Sequence, residues 1–393
     1  MHVRRWVSIA AVMTNACSQT YEPRATPLFS THEAGTVHAC ASRVRDTTAP
    51  CRLPVPASTE LLERIVATST PAIAGDTVTF AVRAPSVTHI TLVGGLRLSL
   101  DRVGSTDLWA ARVYVPGMRE SVISYRLLTD TTTVIPRRSA VRGSRAPRPP
   151  LRAMTLRGTL RFDTLQSVAL GMPREIISYV PRTAGIHGRI DVVYIADGAT
   201  VRDLAPMMDT LVTRGELPPM VLVGVRAARS NPGDAATAND RAREYVYGFD
   251  PDSTRYLAHE KFFVEEVSAW AEKTLNIANT RAGRTIWGAS NGGAFAVAMG
   301  LRHPDRFAHV IAASPVYALI PRAAVNGPLP TFTLSAGTLE QVVRGTTASL
   351  VATLRNLNAS MKFELFAGGH DDLIWSESFV RAVNEQPAPA AGY

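Results

Sequence analysis

Two hydrophobic periods divide the chain. Between Ile65 and Ile135, apolar and polar positions alternate in short runs. Thr77-Val78-Thr79-Phe80-Ala81-Val82 has the period of two that marks a half-buried strand. Ile90-Thr91-Leu92-Val93 followed by Gly94-Gly95 reads as a strand and a turn, and Leu108 to Val115 and Val122 to Leu128 alternate in the same way. Runs this short, with Gly and Pro between them, predict a small β-sandwich. After residue 151 the pattern changes. Apolar, β-branched runs lie at Ile176–Val180, Val192–Ile195, Met220–Val225, Thr285–Trp287, Val310–Ala313, Phe332–Leu334 and Phe363–Phe366. Helical periods fall between several of them. In Phe262-Phe263-Val264 with Val267, Trp270 and Leu275, apolar residues recur at three and four. This alternation predicts an α/β fold with a mostly parallel sheet and helices on both faces.

Two stretches have neither period. Residues 18–60 are rich in Thr, Ala, Pro and Arg and read as a flexible linker. Residues 136–152 hold Arg137-Arg138 and the run Arg145-Ala146-Pro147-Arg148-Pro149-Pro150. Locked φ angles and repelling charges make this second stretch a stiff, exposed linker. The expected order is a signal at 1–17, a linker at 18–60, a β-sandwich at 61–135, the Arg/Pro linker at 136–152 and an α/β domain at 153–388. Few contacts are expected to cross between the two folded parts.

Composition narrows the choice of partners. The 393 residues are 46% hydrophobic and carry a net charge of +9, almost wholly from arginine. Lysine stands only at 261, 273 and 362. With no zinc knuckle, RNA-binding aromatic motif or lysine-rich stripe, the charge reads as scattered solvated arginines, and nucleic acid is not an expected partner. The first residues read as an export signal: His2, Arg4 and Arg5, then the short apolar run Trp6–Met13, then small residues ending in Ala16-Cys17. The expected location is outside the cytoplasm, in the periplasm or beyond. Cys17 is either a lipidated first residue, anchoring the chain to a membrane, or an unpaired thiol. Cys40 and Cys51 are either a disulfide closing a small loop or two free thiols. No CxxC spacing exists, so no metal site is expected.

The chemistry concentrates in Gly288-Ala289-Ser290-Asn291-Gly292-Gly293. It follows the strand-like Arg284–Trp287 and precedes the helical run Ala294–Met299, which is the setting of a GxSxG nucleophile elbow. The serine must sit on a sharp turn that lifts Oγ above the sheet, and residues two away must be tiny because strand and helix nearly touch. A serine needs an adjacent base. In this arrangement the acid comes next and the histidine last. His370 lies in the glycine-rich loop Ala367-Gly368-Gly369-His370-Asp371-Asp372, while His303 and His309 fall too close behind the elbow. Glu340, in Gly337-Thr338-Leu339-Glu340 after the strand Thr331–Ala336, is the candidate acid, with Asp371 and Asp372 as rivals. The oxyanion needs two amides: Asn291 N–H, and Ala199 N–H in the turn Asp197-Gly198-Ala199, where Gly198 allows the tight bend.

Together these residues resemble the esterase family of enterochelin (siderophore) esterases, which also holds feruloyl esterases and mycolyltransferases. The resemblance runs from about Ser167 to Trp375. It is carried by Ser167–Gly171 with Arg174 and Tyr179-Val180-Pro181; Tyr194-Ile195-Ala196-Asp197-Gly198; Asn239-Asp240-Arg241 with Arg243-Glu244-Tyr245; His303-Pro304-Asp305-Arg306-Phe307 and Ser314-Pro315; and the acid and histidine loops, with Trp375. It implies an α/β-hydrolase fold, carboxylic-ester hydrolysis without metal or organic cofactor, and a substrate pocket bordered by Asp197 and Trp375. The segment holding Phe80–Pro85, Leu108-Trp109 and Tyr125 is similar to the immunoglobulin-like module of enterochelin esterases and to starch-binding modules. The expected substrate is a small-molecule or glycan ester: a siderophore-type or other bulky ester, or alternatively a feruloyl or acetyl carbohydrate ester, with hydrolysis or acyl transfer both open. A non-catalytic binding protein with a dead hydrolase fold is the reading of a different class.

Overall fold

Alternation in the first half builds two antiparallel sheets. The computed structural model describes residues 36–40, 48–55, 59–129, 139–182, 189–228, 239–316 and 327–385. The expected export signal, with Cys17, lies outside the described residues. The first half holds β1 (Cys51–Leu53), α1 (Thr59–Thr68), β2 (Ala72–Ala74), β3 (Thr77–Arg83), β4 (Ile90–Gly94), β5 (Leu98–Ser99), β6 (Asp101–Arg102), β7 (Leu108–Tyr114), β8 (Val122–Thr129) and β9 (Ser139–Arg142). One sheet runs β1-β7-β3-β2 with β6 also on β7, and the other runs β5-β4-β8-β9. Their inward residues, among them Val78, Phe80, Ala111 and Val113 against Leu92, Ile123, Tyr125 and Leu127, share one core. Phe80 and Tyr125 meet edge to face with centroids 5.1 Å apart. This is the predicted β-sandwich.

Both expected linkers carry structure. β9 lies inside 136–152 and pairs with β8, with Val141 in the sandwich core. Its alternation spans only four residues, so the surrounding arginines and prolines hide it. At the other end, β1 and the start of α1 fall inside 18–60. Cys40 and Cys51 form a disulfide, Cα atoms 4.8 Å apart, which ties residues 36–40 to β1.

The second half holds β10 (Thr159–Ser167), β11 (Met172–Val180), β12 (Asp191–Ala196), α2 (Val201–Thr213), β13 (Met220–Val225), α3 (Asp240–Tyr245), α4 (Thr254–Lys261), α5 (Ser268–Thr274), β14 (Arg284–Ala289), α6 (Asn291–Arg302), β15 (His309–Ala313), β16 (Thr331–Gly337), α7 (Gln341–Asn356), β17 (Met361–Phe366) and α8 (Asp372–Asn384). The strands form one sheet in the order β10-β11-β13-β12-β14-β15-β16-β17. The β10–β11 and β11–β13 pairs are antiparallel, and the rest are parallel. The central strands β12, β13 and β14 are near-continuous apolar runs because helices cover both faces. One face packs on α6 and α7, in a core that includes Phe295, Leu301 and Leu354. The other packs on α2 and α8, through Leu204, Met208, Trp375 and Phe379. This is the α/β-hydrolase fold. The helix read at Phe262–Leu275 is a wider π turn at Phe262–Val267 that joins α4 to α5.

The expectation of few contacts between the halves does not hold. Val122 N–H donates to Ala367 O at 2.9 Å. Arg142 pairs with Glu377 at 2.5 Å. Leu339, beside the candidate acid, is buried in the sandwich core. The linker composition marks a change of period but says nothing of which surfaces dock.

Candidate active site

Ser290 stands between β14 and α6 with φ +57° and ψ −124°, a conformation that L-residues rarely adopt. Such strain persists only where the surroundings enforce it. A Cβ on Gly288 would lie 2.0 Å from Gly292 O, so strand and helix approach too closely for any side chain there. Ser290 N–H is held by Ala313 O of the neighbouring strand at 2.9 Å, and the first helical bond runs from Ala294 N to Ser290 O at 3.1 Å. Asn291 N–H, at the first position of α6, therefore has no partner within the helix.

His370 Nε2 lies 3.0 Å from Ser290 Oγ, and His370 Nδ1 lies 2.7 Å from Glu340 Oε1. A carboxylate on Nδ1 takes that N–H and leaves Nε2 to accept the serine proton. Glu340 is 1% exposed, and its second oxygen accepts from Gly337 N–H at 2.6 Å and Ser314 Oγ at 2.8 Å. Trp375 Nε1–H donates to Ser314 Oγ at 2.9 Å, and the Trp375 ring stands edge-on to His370 with centroids 4.6 Å apart. Both faces of the acid are thus saturated, and the imidazole is walled on one side.

The rival acids go elsewhere. Asp371 Oδ1 caps α8 by accepting from Leu373 N–H at 2.8 Å, and Oδ2 accepts from Ser124 N–H at 2.7 Å. Burial pushes the Asp371 carboxyl above its usual range, against the amides that hold it. Asp372 lines the cleft. His303 pairs with Glu260 at 2.7 Å, behind α6.

A cleft of about 460 Å³ opens over Ser290 and His370. Asp197, Ala199, Asp203, Arg241, Asp372 and Trp375 line it, with Trp287. Ala199 sits in the 3₁₀ turn Gly198–Thr200, ahead of the Thr200 N to Asp197 O bond of 2.8 Å. The turn differs from the sequence reading in one respect. Asp197, not Gly198, takes the left-handed conformation, with φ +61°. Gly198 is needed for space, since a Cβ there would meet the backbone of Gly224 and Val225 at 2.8 Å.

Arg241 is the site residue to which sequence reasoning gave no role. Its guanidinium grips Asp197 with two bonds of 2.6 Å, and Asp197 N–H donates to Tyr245 OH at 2.7 Å. The same segment supplies Glu244, which pairs with Arg174 at 2.7 Å in a buried, two-pronged contact. Asp197 and Arg241 are 44 positions apart, and no local pattern links them. Behind Tyr245 lies His259, fully buried against the Tyr245 and Phe295 rings. Burial drives its pKa down to about 4, so it is neutral in the fold. The unfolded chain binds that proton near pH 6.5. Stability present above pH 6.5 is therefore lost as pH falls from 6.5 to 4, by about 3 kcal/mol. His259→Phe should flatten that segment in urea titrations at pH 4, 5 and 6.5; an unchanged slope would assign the acid sensitivity to other groups.

Enterochelin esterase from Shigella flexneri is similar in structure at 18% identity and TM-score 0.63, over 84% of this chain and 98% of that one. Ferric enterobactin esterase from Salmonella typhimurium is similar at 17% identity and TM-score 0.60, over 86% and 96%. Identities this low show a shared fold. No curated protein matches. Residues 167–385, more than half of the chain, match the family model described as "Putative esterase", and the chain belongs to that esterase family.

Proposed function

We propose that the chain is a serine carboxylic-ester hydrolase working through an acyl-enzyme. The observation that carries this reading is the unbroken relay from Ser290 Oγ through His370 to Glu340. Ser290 attacks the ester carbonyl as His370 takes its proton, and Glu340 steadies the imidazolium. Asn291 and Ala199 N–H groups hold the oxyanion. His370 returns the proton to the leaving alkoxide and then activates the water, or a sugar hydroxyl, that releases the acyl group.

The proposed substrate is a bulky ester. A structural neighbour solved in the presence of enterobactin favours a siderophore-type ester. The cleft favours the other reading, a neutral aromatic ester of the feruloyl type. Among its described residues, Arg241 is met by Asp197, Asp203 and Asp372 add negative charge, and Trp287 and Trp375 supply apolar walls. Trp287 Nε1–H is buried without a protein partner among the described residues. A polyanionic iron–catecholate complex meets repulsion in such a lining; a feruloyl group does not. Purified protein should show the higher kcat/KM on methyl ferulate than on ferric enterobactin. A tenfold preference for the latter restores the siderophore reading.

We also infer that the mature chain is exported. The Cys40–Cys51 disulfide fits an oxidising compartment. Among the described residues, no helix is long and apolar enough to cross a membrane. The mass of the N-terminus from the native host tests this, and an intact Met1 refutes it.

A further inference from the structure

The geometry points to the N-terminal β-sandwich as a structural part of the catalytic centre: it seats the loop that carries His370, with Asp371 as the positioning residue. The inference rests on the reading of His370 as the base.

Each residue beside the histidine touches the sandwich. On one side, Gly369 lies against the β4–β5 turn so closely that a Cβ on it would be 1.8 Å from Gly95 O. On the other, the Asp371 carboxylate bridges Ser124 N–H of β8 and Leu373 N–H of α8. Before them, Val122 N–H holds Ala367 O, and a Cβ on Gly368 would sit 3.0 Å from Val122 O. The acid loop is tied in as well. Leu339 N–H donates to Gly368 O at 3.0 Å while its side chain sits in the sandwich core. Two of the three proposed catalytic groups are therefore carried on backbone docked to the module. A loop of small residues has little stiffness of its own. Proton transfer at the serine tolerates little displacement, since a shift of about 1 Å can cost about a hundredfold. The sandwich thus supplies the loop with a rigid seat. The same contacts leave no room for a Cβ at residue 369 and only a tight fit at residue 368.

The test pushes on the seat from the module side. Gly95→Ala places a methyl 3.1 Å from Asp371 Oδ2 and 3.4 Å from Ile123 Cγ2, on the β4–β5 turn, outside the residues that line the cleft. With p-nitrophenyl butyrate we expect kcat to fall about tenfold with KM unchanged. We also expect faster hydrogen exchange in a peptide spanning 367–373. Asp371→Ala alone should lower kcat about 10- to 100-fold. In the Asp371→Ala background, Gly95→Ala should add less than twofold, because the group it presses on is gone. A Gly95→Ala protein that folds and keeps kcat within twofold of wild type overturns the inference. So does a full, additive tenfold loss in the double variant. If Gly95→Ala does not fold, Asp371→Ala decides by the same measurements. If the wild-type protein hydrolyses no ester, the esterase reading fails on its own, and unchanged exchange at 367–373 in Gly95→Ala then overturns the seating.

Discussion

Ser290→Ala is expected to lower kcat on p-nitrophenyl butyrate by about a million-fold, leaving a folded protein. Among the described residues, Ser290 Oγ lies within hydrogen-bond distance of His370 Nε2, 3.0 Å away, and in the proposed mechanism it forms the acyl bond. The loss should fall on kcat rather than KM, because the cleft walls that bind the acyl group are untouched. Residual catalysis from the oxyanion amides stays small, on the order of a thousandfold over water. Stability should change little, since alanine meets the same backbone strain at φ +57° that serine does. A fluorophosphonate probe should label wild type and not the variant. Activity near wild type in Ser290→Ala would remove the serine mechanism and leave a binding protein on a hydrolase fold as the better reading.

Glu340→Gln is expected to cost about 10³- to 10⁴-fold in kcat, less than His370→Ala, whose loss should approach that of the serine. In the proposed mechanism the acid orients the ring and balances its charge, whereas the base moves the proton. Glutamine keeps the shape but not the acceptor pattern. Glu340 receives three bonds, from His370 Nδ1, Gly337 N–H and Ser314 Oγ. An amide NH₂ must face one of these donors, and in a site 1% exposed no water relieves the mismatch. The variant should therefore also unfold at lower temperature. If Glu340→Gln is silent and Asp372→Asn cripples the enzyme, the acid is Asp372.

Much of this arrangement was legible in the chain. Strands buried on both faces announce themselves as unbroken apolar runs, so Val192–Ile195 and Met220–Val225 could be placed without a structure. The elbow is legible because steric crowding dictates glycines two residues either side of the serine. Glu340 and His370 each follow a strand, and their order, acid then histidine, is the one the nucleophile-elbow arrangement implies. Other features were hidden for definite reasons. Arg241 finds Asp197 across the cleft, through a contact that neither local sequence encodes. β9 has too few residues to show a period beside its arginines. The left-handed turn falls on Asp197 because Gly198 is spent on close packing with Gly224, a choice that only the tertiary fold makes. The docking of the sandwich on the histidine loop left its trace as Gly368-Gly369 and Gly94-Gly95, pairs that read locally as turns and nothing more.

The bond between Ser124 and Asp371 joins residues 247 positions apart. Closing so long a loop carries an entropic cost, and topologies rich in such non-local contacts fold slowly. The nucleophile elbow, by contrast, is built from β14, α6 and the neighbouring β15, none of which belongs to the histidine loop. A growing or nicked chain that lacks either end would then hold its serine without a positioned base. In that sense the molecule is assembled like a clasp: the proposed relay closes only when the sandwich and the histidine loop have met.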